Sequence, residues 1–118
     1  MIEIENYSEF ERYIHQKMLI IVSTTWCKPC KEVKIEMKKF LETHLIKDAI
    51  IIQMDFDKIQ EDEELMSMLC VKKIPTFLLL KEGDLQQSVT SSQWDLFLEF
   101  IQENFHVEKK TIQITDDF

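Results

Sequence analysis

The chain has 118 residues, 45% of them hydrophobic and 31% charged, a balance that suits a globular core and excludes a disordered chain. At this length about two-thirds of the unfolded surface is buried on folding, enough for one core and too little for two ordinary domains. Fourteen basic against 22 acidic residues give a net charge of −8, and Arg12 is the single arginine, so the clustered cations that neutralise phosphates are missing and nucleic acid is excluded as a partner.

The opening stretch MIEIENYSEFERY is too acidic and interrupted for a signal peptide, and no apolar run approaches the roughly 18 residues that span a bilayer. A cytoplasmic location without membrane contact is therefore expected. Ile2 and Ile4 alternate with acids, as in a short half-buried strand. Ser8 and Glu11 match a capping box for a helix that carries Phe10, Tyr13, Ile14 and Met18 at helical spacing. Met18–Ser23 is a continuous apolar, β-branched run and reads as a central strand covered on both faces. Residues 30–46 return to helical period, with Val33, Met37, Phe40, Leu41 and Leu45 on one face.

Ala49–Met54 is a second buried strand, and Glu61–Leu69 a short helix with acids in its first turn. Thr76–Leu80 and Leu85–Thr90 flank Lys81-Glu82-Gly83-Asp84, a hairpin with glycine where a positive φ is needed. Ser91 or Ser92 is placed to cap a last helix whose apolar face is Trp94, Phe97, Leu98, Ile101 and Phe105. The order β-α-β-α-β-α-β-β-α predicts an α/β fold with a mixed sheet of four or five strands and helices on both faces. Residues 1–105 make the domain. Residues 106–118 form a C-terminal tail, either an extra strand over Thr111–Ile114 or disordered.

The chemistry gathers at Trp26-Cys27-Lys28-Pro29-Cys30, between a buried strand and an amphipathic helix. A sulfur at a helix N-terminus faces unpaired N–H groups and the positive end of the macrodipole. That is worth up to roughly 2 kcal/mol, or about one and a half pKa units. Lys28 adds positive charge, so Cys27 is expected to ionise below the free-thiol value of about 8.5 and to act as the attacking thiolate. Pro29 loses nothing in the first helical turn and sets the backbone so that Cys30 enters the helix beneath Cys27. With two residues between them the thiols meet in a small ring: Cys27 attacks a substrate disulfide, and Cys30 resolves the mixed disulfide. A C-x-x-C pair also occurs as half of a zinc site. Here there is no second pair, His15, His44 and His106 are scattered, and Pro29 suits a metal knuckle poorly; no metal is expected.

W-C-K-P-C after an apolar strand, with Ile74-Pro75-Thr76 opening a later one, resembles the thioredoxin family over nearly the whole chain, from Ile2 to about Phe105. The resemblance implies the thioredoxin fold, Cys27 as nucleophile and Cys30 as resolving thiol. It further implies a cis Pro75, and a docking surface of Trp26, Ile74 and Pro75 on which substrate pairs with the Ile74 backbone like an added strand. The partners it implies are disulfide-containing proteins and a thioredoxin-reductase-like flavoenzyme, with no cofactor beyond the Cys27–Cys30 disulfide. The molecule is expected to be a monomer.

Three departures from the family pattern stand out. Lys28 replaces the usual glycine and is expected to favour the reduced, thiolate form. The buried aspartate six residues before the nucleophile is Ile21, and its lysine partner is Gln53, which implies slower resolution. The glycine of the loop before the last helix is also missing. A binding or assembly module with vestigial redox chemistry is the alternative; a glutaredoxin is disfavoured because a chain with one glycine lacks that family's Gly-Gly segment. Cys70 is read as a small buried hydrophobe, and Asp55 and Asp57 as a solvated strand terminus.

Overall fold

The computed structural model describes residues 1–111. In chain order these form β1 (Ile2–Glu3), α1 (Tyr7–Glu11), β2 (Met18–Ser23), α2 (Lys28–Thr43), β3 (His44–Ile46), β4 (Ile50–Asp55), α3 (Phe56–Ile59), α4 (Glu63–Leu69), β5 (Thr76–Lys81), β6 (Asp84–Thr90), α5 (Trp94–Asn104) and β7 (Val107–Lys109). Five strands make one mixed sheet in the order β1-β4-β2-β5-β6. β2 lies at its centre, parallel to β4 and antiparallel to β5, with every residue from Met18 to Ser23 buried. A strand with neighbours on both edges and helices on both faces has no polar side to present, which is why its sequence is apolar throughout.

The alternation of β2 divides the core. Met18, Ile20 and Val22 pack with Phe10, Ile59, Leu65 and Leu69 beneath α1, α3 and α4. Leu19 and Ile21 face the other way, onto Val33, Met37 and Phe40 of α2 and Phe97, Phe100 and Ile101 of α5. Phe100, absent from the predicted face of the last helix, is buried there as well.

Local chemistry moves several predicted boundaries. Asn6, not Ser8, caps α1: its Oδ1 accepts from the Glu9 N–H at 2.9 Å, and Glu9 Oε1 accepts in turn from the Glu5 N–H at 3.2 Å. Asp62 Oδ1 caps α4 by accepting from the Leu65 N–H, while its Oδ2 accepts from the Tyr7 N–H and ties α4 to the start of α1. Neither Ser91 nor Ser92 caps α5. Its N-cap is Gln93, which makes no side-chain cap bond, and Ser91 Oγ accepts from the Gln93 N–H instead.

The largest departure is at the end of α2. The predicted helix runs to 46, yet His44 is extended (φ −136°, ψ 153°), stacked on Phe40 at 4.5 Å. His44–Ile46 pairs antiparallel with Val107–Lys109, so the residues directly after α5 form a strap across the end of α2. Asp48 anchors it, accepting from Lys17 Nζ at 2.6 Å and from the His106 N–H at 2.9 Å. Burial works against the Asp48 carboxylate, but these two donors outweigh it and hold its pKa below the ordinary value. Of the strand expected at Thr111–Ile114, residues 112–114 lie outside the described residues.

Glu82 (φ 50°) and Gly83 (φ 78°) turn the β5–β6 hairpin, both in the left-handed region that a two-residue loop of this kind demands. A Cβ on Gly83 would lie 2.9 Å from Ile14 Cγ1. Gly83→Ala is therefore expected to cost about 1–2 kcal/mol from backbone handedness alone, and more where Ile14 must yield. Urea unfolding measures it, and an unmoved midpoint would contradict the assignment.

Candidate active site

α2 begins at the carboxyl end of β2, and Cys27 is its N-cap. The Cys27 backbone is extended (φ −82°, ψ 116°), and its Sγ accepts from the Cys30 N–H at 3.3 Å while its carbonyl accepts from the Lys31 N–H. Pro29 lies in the first turn, where its missing N–H has no helical partner to lose. Cys27 and Cys30 stand at disulfide distance, with Cα atoms 5.2 Å apart. Their surroundings differ: Cys27 is 7% exposed, whereas Cys30 is sealed at 0% on the core stripe it shares with Val33 and Met37. Both are buried, but Cys27 keeps a little exposed surface at the helix mouth and Cys30 keeps none. Lys28 is exposed on the outer side of the turn.

Trp26 is 67% exposed, and its Nε1 donates to Asp57 Oδ2 at 2.7 Å. Asp57 is exposed and Asp55 half-buried at the strand terminus, and each accepts a hydrogen bond there. Asp55 Oδ1 caps α3 by accepting from the Asp57 N–H at 2.9 Å, and Asp57 holds the indole. The Asp-x-Asp spacing at a strand end signalled the cap; nothing in the sequence signalled the indole contact, which joins residues 31 positions apart.

The Ile74–Pro75 peptide bond is cis. Thr76 opens β5 opposite Val22, so Pro75 stands at the same end of the sheet as Cys27. Pro75 is buried and Ile74 half-buried. The Thr76 hydroxyl donates to the Lys73 carbonyl and shares a hydrogen bond with the Thr90 hydroxyl, holding this loop to β6.

The family positions singled out by sequence face one another. Ile21 and Gln53 are register partners on β2 and β4; Ile21 is buried, and the Gln53 amide donates to Glu3 Oε1 at the surface. Neither titrates. Cys70 is not buried, as expected from its type, but exposed, because it ends α4 in the left-handed region (φ 56°) and turns its side chain outward. Among the described residues no group of three or more His, Cys, Asp or Glu side chains is placed to hold a metal ion, and no helix is long and apolar enough to cross a membrane.

A family model described as thioredoxin matches residues 1–103. The chain is 37% identical over 79 residues to a spinach chloroplastic protein named thioredoxin F-type, covering 67% of this chain and 40% of that one. It is 40% identical over 81 residues to thioredoxin-1 of Caenorhabditis elegans, covering 65% and 66%. Thus the chain spans well under half the length of the first relative and just under two-thirds of the second. Among solved structures, the oxidised form of mitochondrial thioredoxin 3 from Saccharomyces cerevisiae superposes with a TM-score of 0.70 at 26% identity, covering 87% of this chain and 94% of that one. The short form of spinach chloroplast thioredoxin F superposes with a TM-score of 0.69 at 29% identity, covering 86% and 90%.

Proposed function

The chain belongs to the thioredoxin family, and from that premise we propose that it is a protein thiol-disulfide oxidoreductase working through Cys27 and Cys30. One observation carries the reading: Cys27 caps α2 with its sulfur on the Cys30 N–H, while Cys30 is fully enclosed beneath it. In the reduced protein that N–H and the helix end favour the Cys27 thiolate over the thiol. The thiolate attacks one sulfur of a substrate disulfide; the new S–S bond forms as the old one breaks, and the electron pair leaves on the second substrate sulfur. Cys30 then attacks Cys27 Sγ, closes the Cys27–Cys30 bond and releases the first substrate sulfur as a thiolate, which takes a proton from water. Two electrons have passed from the cysteine pair to the substrate.

Trp26, held by Asp57, and the Ile74–Pro75 corner form the docking surface in this reading, with Lys28 and Pro29 tuning the nucleophile. The substrates are disulfide-containing proteins, and a thioredoxin-reductase-like flavoenzyme returns the electrons to a monomeric protein. A cytoplasmic site of action fits the exposed, unpaired Cys70, since a reducing compartment keeps such a thiol free.

Insulin reduction by dithiothreitol tests the proposal. Catalytic amounts of the protein are expected to bring forward the precipitation of insulin chains. A rate equal to that of dithiothreitol alone would leave a thioredoxin-shaped assembly module in place of an enzyme.

A further inference from the structure

Among the described residues, two buried side-chain oxygens have no hydrogen-bond partner, Ser23 Oγ and Thr24 Oγ1, and both lie just before the cysteine pair. Ser23 is 1% exposed. An unpaired buried hydroxyl has given up its water without a replacement partner, so its persistence calls for a reason.

The strand pattern places Ser23 under the start of α2. Leu19 and Ile21 pack against Val33 and Met37, so the same side of β2, two residues further on, carries Ser23 towards the helix. α2 connects the parallel pair β2 and β4 and runs back antiparallel to them. One turn towards its beginning, about 4.5 Å from Val33 to Cys30, corresponds to the roughly 6.6 Å from Ile21 to Ser23 on the strand. On these ideal rises Cys30 is the core-facing helix residue nearest the level of Ser23. No carboxylate lies on this side of β2, where Leu19, Ile21 and Ser23 follow one another.

We propose that the Ser23 hydroxyl is the hydrogen-bond donor to the Cys30 sulfur whenever that sulfur is reduced. The assignment rests on the redox reading of the pair given above. In the disulfide form the Ser23 hydroxyl makes no hydrogen bond, to the Cys30 sulfur or to any other described group. In the mixed disulfide the enclosed Cys30 passes its proton to the substrate thiolate that the first attack released, and the Ser23 O–H donates to the resulting Cys30 thiolate. That sulfur attacks Cys27, and the electron pair of the broken bond leaves on the substrate sulfur, which is protonated by water. The bond exists only on the reduced side, so Ser23 favours the dithiol and speeds resolution.

The test titrates the pair in dithiothreitol redox buffers and times the decay of a preformed mixed disulfide. Ser23→Ala removes the donor from the reduced state and the orphan from the oxidised state, and both changes favour the disulfide. The equilibrium constant for reduction is expected to fall about tenfold, or about 30 mV, with resolution about tenfold slower. Ser23→Thr keeps the hydroxyl and is expected to stay within about threefold of the parent, while Ser23→Val, of nearly the same shape as Thr, behaves as Ser23→Ala; this pair decides the matter even if the alanine variant does not fold. Thr24→Val, which removes the neighbouring orphan, is expected to shift neither quantity by more than about twofold. Equal constants for the Thr and Val variants at position 23, or an equal shift from Thr24→Val, would overturn the role of Ser23. A parent pair that excess dithiothreitol does not reduce would instead overturn the redox reading itself.

Discussion

Cys30→Ser is expected to convert the protein into a trap, accumulating covalent complexes with substrate proteins while turnover falls to the rate of the added thiol reagent alone. The reason is the unequal burial of the two sulfurs. Cys27, the less enclosed of the two at the helix mouth, still attacks, but serine in the sealed position below has no thiolate with which to displace the substrate. Cys27→Ser is expected to form no adducts, because the remaining sulfur is fully enclosed and meets no incoming disulfide. Non-reducing gels and intact-mass measurements read both outcomes. Comparable trapping by the two variants would reverse or void the assigned roles.

Phe97→Ala is expected to lower stability by about 3–5 kcal/mol, a large fraction of the 5–15 kcal/mol that typically holds such a domain together. Phe97 is fully buried, and its ring stands 4.2 Å from that of Phe77, so truncation removes an aromatic pair as well as opening a cavity between α5 and the sheet. Leu96→Ala, one residue away and 45% exposed, is expected to change stability by no more than about 0.5 kcal/mol. Urea unfolding compares the two. Similar losses would mean that α5 does not present Phe97 to the core.

What was legible in the residues follows from how many positions each element repeats its pattern. β2 declares itself through six consecutive buried side chains, α2 through four turns of spacing, and the hairpin through a glycine that no other residue replaces cheaply. β3 and β7 escape notice because three residues are too few to set a period, and His44-Leu45-Ile46 continues the helical spacing of α2 until its partner strand draws it into extended form. Cys27 and Cys30 could be read because their chemistry is local, within one turn. The Trp26–Asp57 contact could not, since it depends on where α3 lies after β4. Cys70 misled because residue type predicts burial only on average, and the left-handed end of α4 turned this one outward. Ser23 was hidden inside an apolar run, where a lone hydroxyl looks incidental until its missing partner is seen.

The strap of His44–Ile46 and Val107–Lys109 lies at the far end of α2 from Cys27, separated by 16 helical residues, or about 24 Å. It is joined by three register pairs, the Asp48 anchor and the half-buried Ile46 and Val107, and it adds no strand to the main sheet. Such a unit can open locally at a fraction of the global unfolding free energy. Amide protons of the strap are expected to exchange faster than those of β2 in either oxidation state of the sulfurs, so that fraying at one pole leaves the cysteine pair in place; hydrogen exchange measures it.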